Sequence, residues 1–180
     1  MSIISGKLKS FRFNPPKGFP SRPTTDFAKE GLFNMLVNQF SLIDLEILDL
    51  YTGTGNISFE FASREAGNII SVDKNFKCIR FIKEFSKKHG IDDCLKAFKE
   101  DAFRFLNSNT KQFDLIFADP PFDDDIHEKL LAAVFESEAV TNDGVFILEH
   151  NKHIDVSNSK YFESSRKYGH VVFSFFSKNH

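Results

Sequence analysis

The sequence predicts an α/β fold: a mostly parallel seven-stranded sheet wound by helices on both faces, with an antiparallel last strand and an N-terminal arm. Three observations predict it. From residue 46 onward, short runs rich in Ile, Val, Leu and Phe alternate with segments of helical spacing, the pattern of βαβ units. The first run passes directly into the glycine turn Thr52-Gly53-Thr54-Gly55, a strand-to-helix joint. The last two runs have only Gly169 between them, and so tight a connection requires antiparallel pairing.

Each element follows from local pattern. In the arm, Ser2 to Arg22, Ile, Leu and Phe alternate with Lys and Arg, and Asn14-Pro15-Pro16-Lys17-Gly18 reads as a turn between short strands. Thr25-Asp26 offers a helix cap before Leu32, Phe33, Leu36, Val37 and Phe40, which recur at helical spacing. Strands are expected at 46–51, 68–73, 94–99, 113–118, 144–150, 161–168 and 170–177. Helices are expected from the glycine turn to about Arg64, up to about His89, over 101–107 and over 126–135. With no internal repeat or linker, the organisation is one domain, residues 26–180, behind a basic arm or β-hairpin, residues 1–25.

Composition narrows the class. With 180 residues, 41% hydrophobic and 27% charged, the chain is long enough for a full sheet-and-helix core. No secretory leader and no membrane-length apolar run is read, and the expected setting is cytoplasmic. Cys78 and Cys94 follow no metal-ligand spacing. The net charge of −2 hides an asymmetry: residues 1–30 hold six cations against two carboxylates, +4, so the rest carries −6. A basic arm on an acidic body suggests nucleic-acid contact through Lys7, Lys9, Arg12 and Arg22.

Ligands of doubly wound sheets bind beyond the carboxyl ends of the strands, and four acids fall there in succession. Asp49 precedes Tyr51 and the close-approach glycines Gly53 and Gly55; it can orient that loop or bind a ligand amine. Asp73, with Lys74 beside it, stands 24 positions later, where a carboxylate can accept the hydroxyl hydrogens of an adenosine ribose. Asp101, followed by Ala102, can take the adenine amine or cap its own helix. Asp119-Pro120-Pro121-Phe122 closes the fourth strand and carries the chemistry. A base amine is a poor nucleophile because its lone pair is delocalised into the ring. The Asp119 carboxylate and Pro120 carbonyl can accept one amine hydrogen each and turn the lone pair outward; Pro121 stiffens the loop and Phe122 offers a stacking face. A freely solvated aspartate, which titrates at ~3.9, is a weak base, so orientation is the expected first role of Asp119.

These motifs resemble class I methyltransferases of the Rossmann-like kind, and nearly the whole chain is similar to the RsmD-type 16S ribosomal RNA guanine-N2 methyltransferases. The similarity rests on the Ile-Ser-Gly-Lys start, Arg22-Pro23-Thr24-Thr25-Asp26 before Leu32-Phe33-Asn34, Asp49 to Gly55, Asp119 to Phe122 and Arg166-Lys-Tyr-Gly169. It implies S-adenosylmethionine as cofactor, held by Asp49, Gly53, Gly55, Asp73 and Asp101. It also implies a target guanine held by Asp119 to Phe122, and an RNA-facing wall that includes the arm and Thr24. The partner implied is ribosomal RNA or the small ribosomal subunit. Two positions depart from the family pattern: Ser58 where a third glycine is common, and Phe27 where many members carry arginine.

Rival readings are a DNA adenine-N6 methyltransferase, a protein glutamine methyltransferase and a non-catalytic RNA-binding or ribosome-assembly protein. The first usually needs a target-recognition region that 180 residues scarcely hold, and the second would carry Asn and Tyr at 119 and 122. Asp123-Asp124-Asp125 reads as helix-entry acids favoured by the helix dipole, and His150, His153 and Asp155 as ordinary polar residues. No metal is expected.

Overall fold

The structure, a computed structural model, describes residues 1–15, 18–19, 24–121 and 125–179. The element order is α1 (Asp26–Gln39), β1 (Glu46–Leu50), α2 (Asn56–Ser63), β2 (Asn68–Asp73), α3 (Phe76–Lys88), β3 (Leu95–Lys99), α4 (Ala102–Ser108), β4 (Phe113–Ala118), α5 (Ile126–Glu136), β5 (Val140–Asn151), β6 (Phe162–Tyr168) and β7 (Val171–Phe176). The strands form one sheet in the order β3-β2-β1-β4-β5-β7-β6. β1 to β5 pair in parallel, and β7 lies antiparallel between β5 and β6.

Successive residues of the strands supply opposite faces, so the apolar runs build two cores. Ile47, Leu115, Ile147 and Phe175 pack with Leu32, Phe33 and Leu36 of α1, Phe59 of α2 and Ile82 of α3. Their neighbours Leu48, Ile116, Leu148 and Phe176 pack with Leu106 of α4 and Leu130 and Val134 of α5. Helix starts are fixed by short polar side chains: Thr25 accepts from the Ala28 amide, Asn75 from Lys77, and Asp101 from Phe103 and Arg104. Among the described residues no helix is long and apolar enough to cross a membrane.

Two local expectations change. β5 begins at Val140, four residues before the expected start, and its register shifts beside Phe113–Leu115. The polar Thr141-Asn-Asp-Gly144 stretch carries turn chemistry but is held in the ladder as a bulge, where a Cβ on Gly144 would lie 3.0 Å from the Asp114 carbonyl. The expected turn at 14–18 falls partly outside the described residues. Within them the arm reverses earlier: Ser10 donates to Ile3, Ile3 to Phe11 and Phe13 to Met1, with a bridge between Ser2 and Arg12. Ile3 and Phe13 are buried in the α1–α3 core, which is why their apolar side chains, not the prolines, set the reversal.

Candidate active site

The sheet order reverses between β1 and β4, and parallel pairing aligns the strand ends there. Leu50 lies opposite both Val72 and Ala118, and Ala118 opposite Leu148. Asp49, Asp73, Asp119 and Glu149 are thereby carried to one edge, with Asp101 just beyond β3.

The first loop is built around Asp49, which is buried. Its Oδ2 accepts from Thr52 Oγ1 at 2.7 Å and from Ser58 Oγ. Ser58 has one hydrogen and spends it there, so Ser71 Oγ, 2.7 Å away, donates to Ser58. Position 58 is therefore a hydroxyl relay into Asp49. Burial pushes the Asp49 carboxyl up to about 6; the two hydroxyls pull it down and the Asp73 charge adds to the rise. Tyr51 turns out of β1 at φ 57°, a conformation that costs a non-glycine residue energy and recurs at ligand sites. Burial, with the Asp101 and Asp73 charges, raises its phenol to about 12. Gly55 opens α2 at φ 75°, and a Cβ there would meet Ile82 at 2.8 Å and Phe59 at 2.9 Å.

Asp73 ties the loop to β2. Its Oδ2 accepts the Gly53 amide at 3.0 Å and its Oδ1 the Asn75 amide at 2.8 Å, leaving a lone pair on each oxygen for further donors. Lys74 is exposed beside it. Asp101 Oδ1 caps α4, which leaves Oδ2 for a ligand amine; Ala102 is buried at the start of that helix. A vicinal diol and an amine, the polar ends of an adenosine, fit this set of acceptors, and the glycine backbone gives room between them.

Asp119 is half-buried, Pro120 buried and Pro121 exposed. Burial first, then the charges of Glu149 and Asp49, hold the Asp119 carboxyl well above the usual carboxylate range. The weak base expected from the free side chain is thus a stronger one in place. Glu149 is the residue sequence reasoning missed. It is only 6% exposed, its Oε2 accepts from Thr24 Oγ1 at 2.7 Å, and burial raises it to about 7 against that bond. The signal was present: an acid ends the apolar run Val145-Phe-Ile-Leu148 as Asp119 ends β4.

Thr24, expected on an RNA-facing wall, is itself buried and spends its hydroxyl on Glu149. Its carbonyl accepts from Asn56 Nδ2 at 3.0 Å; Asn56 Oδ1 takes Lys29 Nζ at 2.7 Å. Lys29 also donates to the Ser2 carbonyl at 2.6 Å and lies 3.4 Å from Glu60, which accepts the Ile4 and Ser5 amides. Hydrogen bonds thus run unbroken from the arm to Glu149. Of the arm cations, Lys7 pairs with Glu65 at 2.8 Å, while Lys9 and Arg12 are exposed. Arg22, Phe122, Asp123 and Asp124 lie outside the described residues. His150 is engaged by Ser174 and the Asn151 carbonyl, and among the described residues no group of three metal-ligating side chains converges. A cavity of about 460 Å³ between α5 and residues 155–161 holds none of the candidate side chains.

Known proteins share this sequence pattern and this fold. The family described as "Conserved hypothetical protein 95" matches residues 1–177. "Putative rRNA methyltransferase YlbH" of Bacillus subtilis is 32% identical over 159 residues, covering 87% of this chain and 85% of its own. "Ribosomal RNA small subunit methyltransferase D" of Buchnera aphidicola subsp. Baizongia pistaciae is 27% identical over 180 residues, covering 98% and 91%. The solved structure of "Putative methyltransferase yhhF from Escherichia coli" superposes with a TM-score of 0.85 at 20% identity, covering 98% of this chain and 96% of that one. The fold is that of class I methyltransferases.

Proposed function

The chain belongs to the family described as Conserved hypothetical protein 95, and from that membership we propose that it transfers the methyl group of S-adenosylmethionine to the exocyclic N2 amine of a guanine in small-subunit (16S) ribosomal RNA. One observation carries the proposal: a half-buried, proton-avid carboxylate, Asp119, stands in an Asp-Pro-Pro segment at the switch point, beside the glycine loop of β1. Relatives named as ribosomal RNA methyltransferases support the substrate class.

S-adenosylmethionine supplies an electrophilic methyl group when bound. Asp73 would take the ribose hydroxyls and Asp101 the adenine amine, and Asp49, Tyr51, Gly53, Gly55, Lys74 and Ala102 would shape the loop around them. Asp119 and the Pro120 carbonyl hold the two amine hydrogens, so the nitrogen lone pair faces the methyl donor. Well-oriented pairs of this kind gain up to ~7–11 kcal/mol over free encounter. Methyl transfer, in which the N–C bond would form as the methyl–sulfur bond breaks and leaves the thioether, would make the amine acidic, and the Asp119 carboxylate would take its proton. Pro121 and Phe122 wall the base, and residues 1–25 act as an RNA-facing arm on the domain formed by 26–180.

The test is transfer of labelled methyl to unmodified small-subunit particles, naked ribosomal RNA and duplex DNA, with nucleoside analysis. N2-methylguanosine in particle or RNA is the expected product; methyladenine in DNA would replace the reading by an adenine one. Asp119→Ala is expected to lower kcat by roughly 10³-fold or more while cofactor binding stays within about twofold. Loss of cofactor binding in that variant would contradict the roles given to Asp73 and Asp119.

A further inference from the structure

A carboxylate withdrawn from water is normally matched by a cation or saturated with hydrogen bonds, because an unmatched one loses its hydration without replacement. Lys29 and Glu60 obey that rule: each is buried, and their oxygens and ammonium hydrogens are taken up by Ser2, Ile4, Ser5, Asn56 and Arg64. Glu149 does not. Its one described hydrogen bond comes from Thr24, to Oε2; among the described residues no cation pairs with it and no donor reaches Oε1. Among the described residues, the charged groups coupled to it electrostatically, Asp119 and Asp49, are also acids.

Position sharpens the point. Ala118 and Leu148 are paired across β4 and β5, so Asp119, just past the end of β4, and Glu149, still within β5, stand side by side at the carboxyl edge of the sheet. The side chain is also anchored. Thr24 holds one oxygen, and Asn56 and Lys29 hold Thr24 in turn, which narrows the positions open to the other oxygen. Two carboxylates side by side suit a ligand edge with successive hydrogen-bond donors. Guanine has that edge: N1–H lies next to the N2 amine. Adenine and cytosine place a ring lone pair beside their amines, which would face the second carboxylate with like charge.

We propose that Glu149 reads the target base, its free oxygen accepting the N1–H of guanine while Asp119 and Pro120 hold the N2 amine. The assignment rests on the guanine reading above and adds to it the residue that excludes other bases. A donor from the base relieves the very burial that raises the Glu149 carboxyl, so binding and recognition are the same event.

Discrimination can be read with 2-aminopurine, which keeps the N2 amine and replaces N1–H by a lone pair. Small-subunit RNA carrying either guanine or 2-aminopurine at the methylated position is the substrate, and kcat/KM for methyl transfer is the readout. The wild-type protein is expected to prefer guanine by ~10²-fold or more, since a site built to bond a donor rejects an analogue lacking it. In Glu149→Gln the amide oxygen can keep the Thr24 bond and turn the NH2 toward the base. That variant is expected to lose at least ~10-fold on guanine and to gain on 2-aminopurine, reversing or abolishing the preference. An unchanged preference in Glu149→Gln, or an equal loss on both substrates, would overturn the assignment and leave Glu149 a structural residue. Failure of the wild-type protein to methylate any guanine would refute the underlying reading and the assignment with it. The two failures are distinct, because the first requires wild-type transfer to guanine and the second its absence.

Discussion

Glu149 titrates in a place water barely reaches, and the stability of the fold carries the mark of it. Its ordinary value is 4.5 and the folded value about 7, so the native state prefers the protonated acid. The stabilisation is complete below about 4.5 and is lost as pH rises through about 7. Among the described residues, the groups acting on it are Thr24 from the segment before α1, Asp119 just past β4 and Asp49 from β1. Glu149→Gln keeps an acceptor for Thr24 and removes the charge. Denaturant unfolding is expected to find it more stable than the wild type at pH 8, by up to about 3 kcal/mol, and equal near pH 4.5. A variant less stable at pH 8 would contradict the burial argument. Ser58 offers a second check. Ser58→Ala removes one of two donors to Asp49 and strands Ser71, so cofactor affinity is expected to fall roughly tenfold, about 1.4 kcal/mol, by calorimetric titration. A glycine-loop role limited to backbone shape would leave affinity unchanged.

The arm shows how one element is attached to another. Gly6 sits at φ 82° against the C-terminal end of α2, where a Cβ would fall 1.8 Å from the Ser63 carbonyl oxygen; Lys7 donates to that same carbonyl. Gly6→Ala must therefore both strain its own backbone and push the arm off α2. Its expected cost is about 2–4 kcal/mol, or release of residues 1–13 with faster amide exchange there and an otherwise intact core. Uniform protection across both regions would show the arm tolerates the added methyl. The βα alternation was legible because each strand is a short apolar run ended by a polar turn; β2 and β4 carry the same bounds in sequence and structure. The four acids at the strand ends were legible for the same reason. Less was legible where a residue serves a distant partner. Lys29 lies in an apparently polar stretch of α1, yet it is wholly buried because Glu60, 31 positions on, and Asn56 lie across from it. Thr24 looks like a surface residue of the Arg-Pro-Thr segment and proves to be the anchor of Glu149, 125 positions away. Spacing within a window carries no trace of such pairs.

For the molecule as a whole, the relevant quantity is where charge is left free. Lys7 is neutralised by Glu65, whereas Lys9 and Arg12 remain exposed on the arm of an otherwise acidic body. If these two meet phosphates, replacing both by alanine lowers the slope of log K against log salt by about 0.7 per contact on single-stranded RNA, without altering the base that is methylated. An unchanged slope would place the RNA on another face. The placement of β7 has a consequence for how the protein is made. The last strand added is an interior one, inserted between β5 and β6. Until residue 176 leaves the synthesising ribosome, β5 has an open side and β6 has no neighbour, and the two apolar cores that share β7 stay incomplete. From the synthesis of β5 until that of β7 the nascent chain must therefore carry an exposed edge, and the sheet closes only when its last strand is inserted.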